Sequence, residues 1–138
     1  MAAINRFEEI QAWKTARELT IMIYRFTEKG VFTRDFGLKD QMRRTSVSAM
    51  SNIAEGFESK TQAQFVRYLG KARTFAGEVR SQLYIASDVH YMTREQFNLA
   101  FHHANKVIRQ INLFIATLES HPKSRHITKG QVHYDVTD

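Results

Sequence analysis

The chain has 138 residues, a length that suits one domain with a single core. It is 43% hydrophobic and 25% charged, contains one Pro and no Cys, and carries a formal net charge of +6. These totals argue for a helical globular chain, exclude disulfides and cysteine-ligated metal centres, and permit nucleic acid or an anionic surface as partner.

The first residues, Met1 to Glu9, lack the apolar core of a signal peptide. No run of ~18 apolar residues occurs, so no membrane span is predicted. The expected location is the cytoplasm.

Helix one is predicted from about Phe7 to Lys29. Ile10, Trp13, Ala16, Leu19, Thr20, Ile23, Tyr24 and Phe26 form an apolar arc too wide for a single neighbour. Gly30 suits the C-terminus of this helix, where a left-handed residue costs least. The connection from Val31 to Gly37 holds Phe32 and Phe36, both expected to plug one end of a bundle.

Helix two is predicted from about Leu38 to Glu55, closed by Gly56. At ~100° per residue, Leu38, Met42, Ala49, Ile53 and Phe57 share an apolar face. Gln41, Thr45, Ser48, Asn52 and Glu55 form a polar stripe beside it. Short hydroxyls and amides in such a stripe let another backbone come close, and they need partners where they are buried.

Ser59-Lys60-Thr61-Gln62 matches a capping box, with Ser59 as N-cap and Gln62 reaching back. Helix three then runs from about Lys60 to Val89. Phe65, Leu69, Ala72, Ala76, Val79 and Leu83 make its core stripe, and Tyr68, Phe75, Ala86 and Val89 a second flank. Gly70 and Gly77 lie inside the helix on a common face. An interior Gly costs roughly 1 kcal/mol relative to Ala, so a close backbone approach is expected there.

Thr93-Arg94-Glu95-Gln96 is another capping box. Helix four runs to about Glu119, with Phe97, Phe101, Ala104, Ile108, Ile111, Ile115 and Leu118 inward. Val107 and Phe114 widen that face, whereas Leu99 and Leu113 point elsewhere. Pro122 marks the end, and residues 122–138 read as a loose tail. The predicted fold is all-α: an antiparallel up-and-down four-helix bundle over residues 1–121. Its apolar arcs are wider than one bundle core covers, so a homo-oligomer is expected.

Several patches resemble one family. Phe7, Trp13, Ala16, Leu19 and Ile23-Tyr24 match its helix-one pattern. Phe36-Gly37-Leu38, Gln41 with Arg43-Arg44, and Asn52-Ile53-Ala54-Glu55-Gly56 match its signature. Phe65, Leu69, Ala72, Glu78 and Ile85-Ala86 continue it. The chain is similar to the four-helix-bundle proteins encoded in intervening sequences of bacterial large-subunit ribosomal RNA, a family that includes the accessory proteins of diversity-generating retroelements. The resemblance covers about Phe7 to Leu118. Where the family often has Gly-Ser in helix three, this chain has Thr74-Phe75. The resemblance implies a ring, commonly a pentamer, with a basic surface that in retroelement accessory proteins meets nucleic acid and a reverse transcriptase. It implies no catalytic activity, and no cofactor is assigned.

Asn52 is expected to bond a neighbouring helix, and Glu55 to pair with an arginine or with the exit of helix two. A general-base Glu55 would need an acid or nucleophile beside it, and no second motif supplies one. No catalytic residue is therefore assigned. Gln41, Asn52, Glu55 and Gly56 are assigned as a structural motif.

The histidines at 90, 102, 103, 121, 126 and 133 show neither His-Glu-x-x-His nor Glu-x-x-His spacing, so no metal site is assigned. The glycines make no phosphate-binding loop. Between Gly30 and Arg80 there are nine Lys/Arg and five Asp/Glu, a net +4 of the total +6. Arg43, Arg44, Lys60, Arg67, Lys71, Arg73 and Arg80 are the candidates for phosphate contact with RNA or DNA. A protein–protein adaptor with incidental positive charge is the alternative.

Overall fold

The structure, a computed structural model, describes residues 2–120 and 133–134. Four α-helices carry the fold: α1 (Gln11–Thr27), α2 (Phe36–Glu58), α3 (Gln62–Asp88) and α4 (Arg94–Glu119). Short 3-10 turns at Phe7–Glu9 and Gly30–Arg34 precede α1 and α2. Each helix packs on two neighbours, in the cyclic order α1, α2, α3, α4. Short connections make successive helices antiparallel, as the sequence predicts. The expected tail lies outside the described residues except for His133–Tyr134, whose backbone pairs antiparallel with Ala2–Ala3.

The central layers follow the predicted stripes on α2 and α3; on α4 the buried row runs through Ala100, Ala104, Val107, Ile111, Phe114 and Leu118, and Phe97, Phe101, Ile108 and Ile115, expected inward, are half-buried against it. Ala16, Leu19 and Ile23 from α1 meet Met42 and Ile53 from α2, Leu69, Ala76, Val79 and Leu83 from α3, and Ala104, Val107 and Ile111 from α4. One end is closed by aromatic rings: Phe65 lies 6.0 Å from Phe57 and 5.4 Å from Phe114 between centroids. The opposite end is closed by Phe32, whose ring lies 5.1 Å from that of Tyr91, tilted by 37°. Phe36 does not share that role. It is 68% exposed at the first turn of α2, with Lys39 Nζ 4.9 Å from its ring centre. A helix needs an N-cap at this point, and Asp35 supplies it by accepting from Leu38 N at 3.1 Å. That cap starts the helix at Phe36, outside the core.

The start of α3 also differs from expectation, by two residues. Thr61 is the N-cap, its hydroxyl accepting from Gln64 N, while Gln64 Oε1 accepts from Thr61 N. Ser59 belongs to the previous helix, donating its hydroxyl to Gly56 O. Gln62, freed from the cap, is buried and donates its amide to Leu118 O at the end of α4. The Thr93 box forms as predicted, with Gln96.

Gly56 is not a helix terminator, because α2 continues to Glu58. Its hydrogen side is needed by α3: a Cβ there would lie 2.8 Å from Tyr68 Cβ and 2.9 Å from Phe65 Cδ1. Gly70 and Gly77 show the reverse. A Cβ at either would meet nothing within 4 Å, so the close approach expected there is absent within the subunit. Gly30 adopts φ +64°, the left-handed conformation expected past the end of α1.

Candidate nucleic-acid interface

The bundle distributes the candidate cations over three different flanks. Arg43 and Arg44 are adjacent on α2, so their side chains diverge by ~100°. Arg43 turns to α1. Its Nε donates to Thr27 Oγ1 at 2.9 Å, Nη2 donates to Tyr24 O at 3.3 Å, and the guanidinium sits 4.5 Å from the Tyr24 ring centre. This cation caps the carbonyl end of α1, where positive charge is favourable. Thr27 is fully buried and donates its own hydroxyl to Ile23 O at 2.7 Å, so Arg43 locks the last turn of α1 onto α2.

Arg44 turns the other way, into a cleft of about 480 Å³ between α2 and α3. Gly37, Asp40, Gln41, Arg44, Thr45 and Ser48 form one wall and Phe75 the other. Thr45 is the structural member of the set: it donates to Gln41 O at 2.7 Å and accepts from Gln82 Nε2 at 3.0 Å. The guanidinium of Arg44, the side-chain amide of Gln41 and the hydroxyl of Ser48 have no hydrogen-bond or ion-pair partner among the described residues. Lys71 and Arg67 continue from Phe75 at successive helical turns of α3 and are exposed, as is Lys60 at its start. Lys71 Nζ lies 5.3 Å from the Tyr68 ring centre.

Arg73 and Arg80 lie on the far flank of α3, against α4. Arg73 Nη1 donates to Asn112 Oδ1 and Arg80 Nη1 to Asn105 Oδ1, both at 2.8 Å. The two pairs are one heptad apart on each helix and hold α3 to α4 at two levels. Arg80 also sits 6.0 Å from the Phe101 ring, beside a cluster in which Tyr84, Phe97 and Phe101 lie 5.2 to 5.4 Å apart. The seven basic side chains are therefore not one patch. Arg44 lines the α2/α3 cleft, Lys71 and Arg67 follow from its Phe75 wall along exposed turns of α3, and Lys60 is exposed in the connection before α3.

The motif residues are placed unequally. Asn52 is half-buried, and its Nδ2 donates to Ser48 O of its own helix at 2.8 Å instead of bonding a neighbour. The inter-helix bond that the polar stripe suggested is made by Thr45 with Gln82, and Thr20 outside the stripe makes another, donating to Ser46 O at 3.1 Å. Ser46 is fully buried and lies off the predicted stripe. Glu55 is exposed, has no ion pair among the described residues, and is not part of the cleft wall.

His103 Nε2 lies 3.4 Å from Glu18 Oε1, and the rings of His102 and His103 are 6.3 Å apart. Among the described residues no three His, Asp or Glu side chains cluster as a metal site. None of the described helices is long and apolar enough to cross a membrane.

A four-helix bundle with short loops and an Asn-Ile-Ala-Glu-Gly segment in the last turns of α2 defines a class of small helical bundle. Residues 8–113 match the 23S rRNA-intervening sequence proteins, and the chain belongs to that family. It is similar in fold to a crystal structure of a protein of unknown function from the S23 ribosomal protein family of Bacteroides thetaiotaomicron. The TM-score is 0.69 and the identity 24%, over 77% of this chain and 99% of that one. Comparison with curated proteins gives no match. Neither description names an enzymatic activity.

Proposed function

We propose that the protein is a non-enzymatic, homo-oligomeric scaffold whose α2/α3 surface holds RNA or DNA through its phosphates. The observation that carries this reading is the set Arg44, Lys60, Arg67 and Lys71: exposed and free of ion pairs among the described residues. Cations in that state release counterions on meeting a polyanion, whereas paired ones do not. Such contacts position a nucleic acid without reading its sequence. A nucleic-acid enzyme such as a reverse transcriptase is the protein partner that the family resemblance suggests, and the cytoplasm is where either would be met.

Self-association, as a pentamer on the same resemblance, is supported by large apolar side chains left open to solvent. Tyr84, Ile85 and the C-cap residue Val89 are 52%, 54% and 49% exposed at the C-terminal end of α3, and Leu99 and Leu113 on α4 are 49% and 44% exposed. A ring would bury them and repeat a small basic surface around an axis, turning weak contacts into avidity.

The test is binding of duplex and single-stranded probes across several salt concentrations. Affinity should fall linearly in log–log form, by about 0.9 per phosphate neutralised on a duplex and about 0.7 on a single strand. Arg67→Glu with Lys71→Glu should weaken both and flatten the slope. Absence of binding at low salt would leave the protein–protein adaptor, for which the exposed apolar stretch of α3 is the docking face.

A further inference from the structure

The cleft between α2 and α3 has properties that phosphate contact alone does not need. Its volume, about 480 Å³, falls within the usual range of sites for small organic groups. Phe75, half-buried, is the one aromatic wall, so the ring is anchored while part of it faces the open space. Opposite the ring are donors and acceptors that the fold leaves unused: the Arg44 guanidinium, the Gln41 amide and the Ser48 hydroxyl. Beside them, Gln82 donates to Thr45 Oγ1 at 3.0 Å, while its Oε1 is buried without a partner. Gln82 itself is not part of the cleft lining; it holds Thr45 in place behind the wall.

We infer that this cleft seats one unstacked nucleotide of a bound single strand, its base against Phe75 and its phosphate on Arg44. The inference rests on the scaffold reading above and adds to it a place for a base. Asp40 lies one helical turn from Arg44 in the same wall. Its carboxylate repels a phosphate at that end and so leaves Arg44 as the anionic subsite. Gln41 and Ser48 face the sugar and the base edge. Lys71 and Arg67 continue from Phe75 along α3 and supply the flanking phosphate contacts, which gives the polymer, rather than a free nucleotide, the greater hold. A duplex keeps its bases stacked and cannot offer one to the cleft without extruding it. The preference is thus for single strands.

The experiment uses the full chain and three probes: a fluorescent oligo-dA strand, a duplex, and free AMP. Phe75→Ala should weaken the single strand by about tenfold or more, the loss expected for one base–aromatic stack. The salt slope should stay unchanged, because no cation is removed. Phe75→Leu, which keeps an apolar side chain in the wall, should show the same loss at an unchanged melting temperature. The emission of a 2-aminopurine strand should change on binding the wild type, as the base leaves its neighbours, and not on binding either variant. Duplex binding should be the same for all three proteins. Equal single-strand affinity of wild type and Phe75→Leu would remove the base from the cleft and leave the scaffold reading standing. Free AMP bound as tightly as the strand would make the occupant a small nucleotide and overturn the polymer assignment. Failure of the wild type to bind any strand at low salt would overturn both readings.

Discussion

Tyr91, in the connection between α3 and α4, donates its hydroxyl to Asp35 Oδ2 at 3.0 Å, while Asp35 Oδ1 accepts from Leu38 N at 3.1 Å. One carboxylate thus caps α2 and ties that cap to the start of α4. The hydrogen bond to Asp35 raises the Tyr91 pKa above its ordinary value, aided by desolvation and by the negative charge of the carboxylate. A raised phenol means that the folded state holds the proton more tightly. The stabilisation is complete below the unfolded value of about 10 and is lost as pH rises through the folded one. Tyr91→Phe should therefore be less stable than wild type near neutrality, and the two should converge in strongly alkaline solution. Urea titrations of both proteins over that range check it.

Gly56→Ala should destabilise the bundle by about 1–3 kcal/mol, the usual cost of overpacking. Helix propensity alone would favour Ala by about 1 kcal/mol. The sign is set by Tyr68 Cβ and Phe65 Cδ1, which the new methyl would meet at 2.8 and 2.9 Å. The relevant measurement is the urea midpoint at constant m-value.

Gly70→Ala and Gly77→Ala should act in the opposite direction. A Cβ at either meets nothing within 4 Å, so each substitution should stabilise the subunit by about 1 kcal/mol. Thermal unfolding followed by light scattering separates two results. A rise in stability with assembly intact is expected; a loss of assembly would place a subunit contact on this face of α3.

His90 has φ 62°, the left-handed region that most side chains avoid. It ends α3 in a Schellman arrangement, with His90 N donating to Ser87 O at 3.0 Å and Tyr91 N to Ala86 O at 2.9 Å. His90→Gly should keep both bonds and relieve the backbone, raising stability by about 1 kcal/mol. Calorimetry of the variant tests this.

The helices and their core were legible because a period of ~3.6 residues is a property of one segment read alone. The Thr93 box could be read for the same reason. The start of α3 could not be settled in that way, because Ser59 with Gln62 and Thr61 with Gln64 satisfy the same pattern. The choice falls to Thr61 because Ser59 and Gln62 have duties elsewhere, at Gly56 O and Leu118 O. Phe36 looked like core by composition, and the Asp35 cap left it outside. The cleft was missed for a further reason. Phe75 stood out as an unusual residue beside Thr74, but its role depends on α2 lying opposite, and periodicity does not say which helices are neighbours. The stripe position of Asn52 predicts an inter-helix group, whereas the backbone carbonyl of Ser48 satisfies its Nδ2 locally.

Arg43 and Arg44 make the sharpest test, because sequence treats them alike and the fold does not. Arg43 is half-buried and donates to Thr27 Oγ1 and Tyr24 O, the latter a carbonyl in the last turn of α1. Its removal leaves that end of α1 uncapped and takes away the cation over Tyr24. Arg43→Ala should therefore cost about 1–3 kcal/mol of stability, the usual range for charged hydrogen bonds and their orphaned partners. Nucleic-acid binding by the fraction that remains folded should keep its salt slope. Arg44 is exposed in the cleft and bonds nothing among the described residues. Arg44→Ala should change stability by less than about 0.5 kcal/mol, as surface substitutions usually do. It should flatten the salt dependence of single-strand binding by about 0.7, the share of one phosphate. Melting curves and anisotropy on the same two proteins give both numbers. A steep slope retained in Arg44→Ala, or one lost in Arg43→Ala without unfolding, would move the phosphate contact from the α2/α3 side to the α1/α2 side.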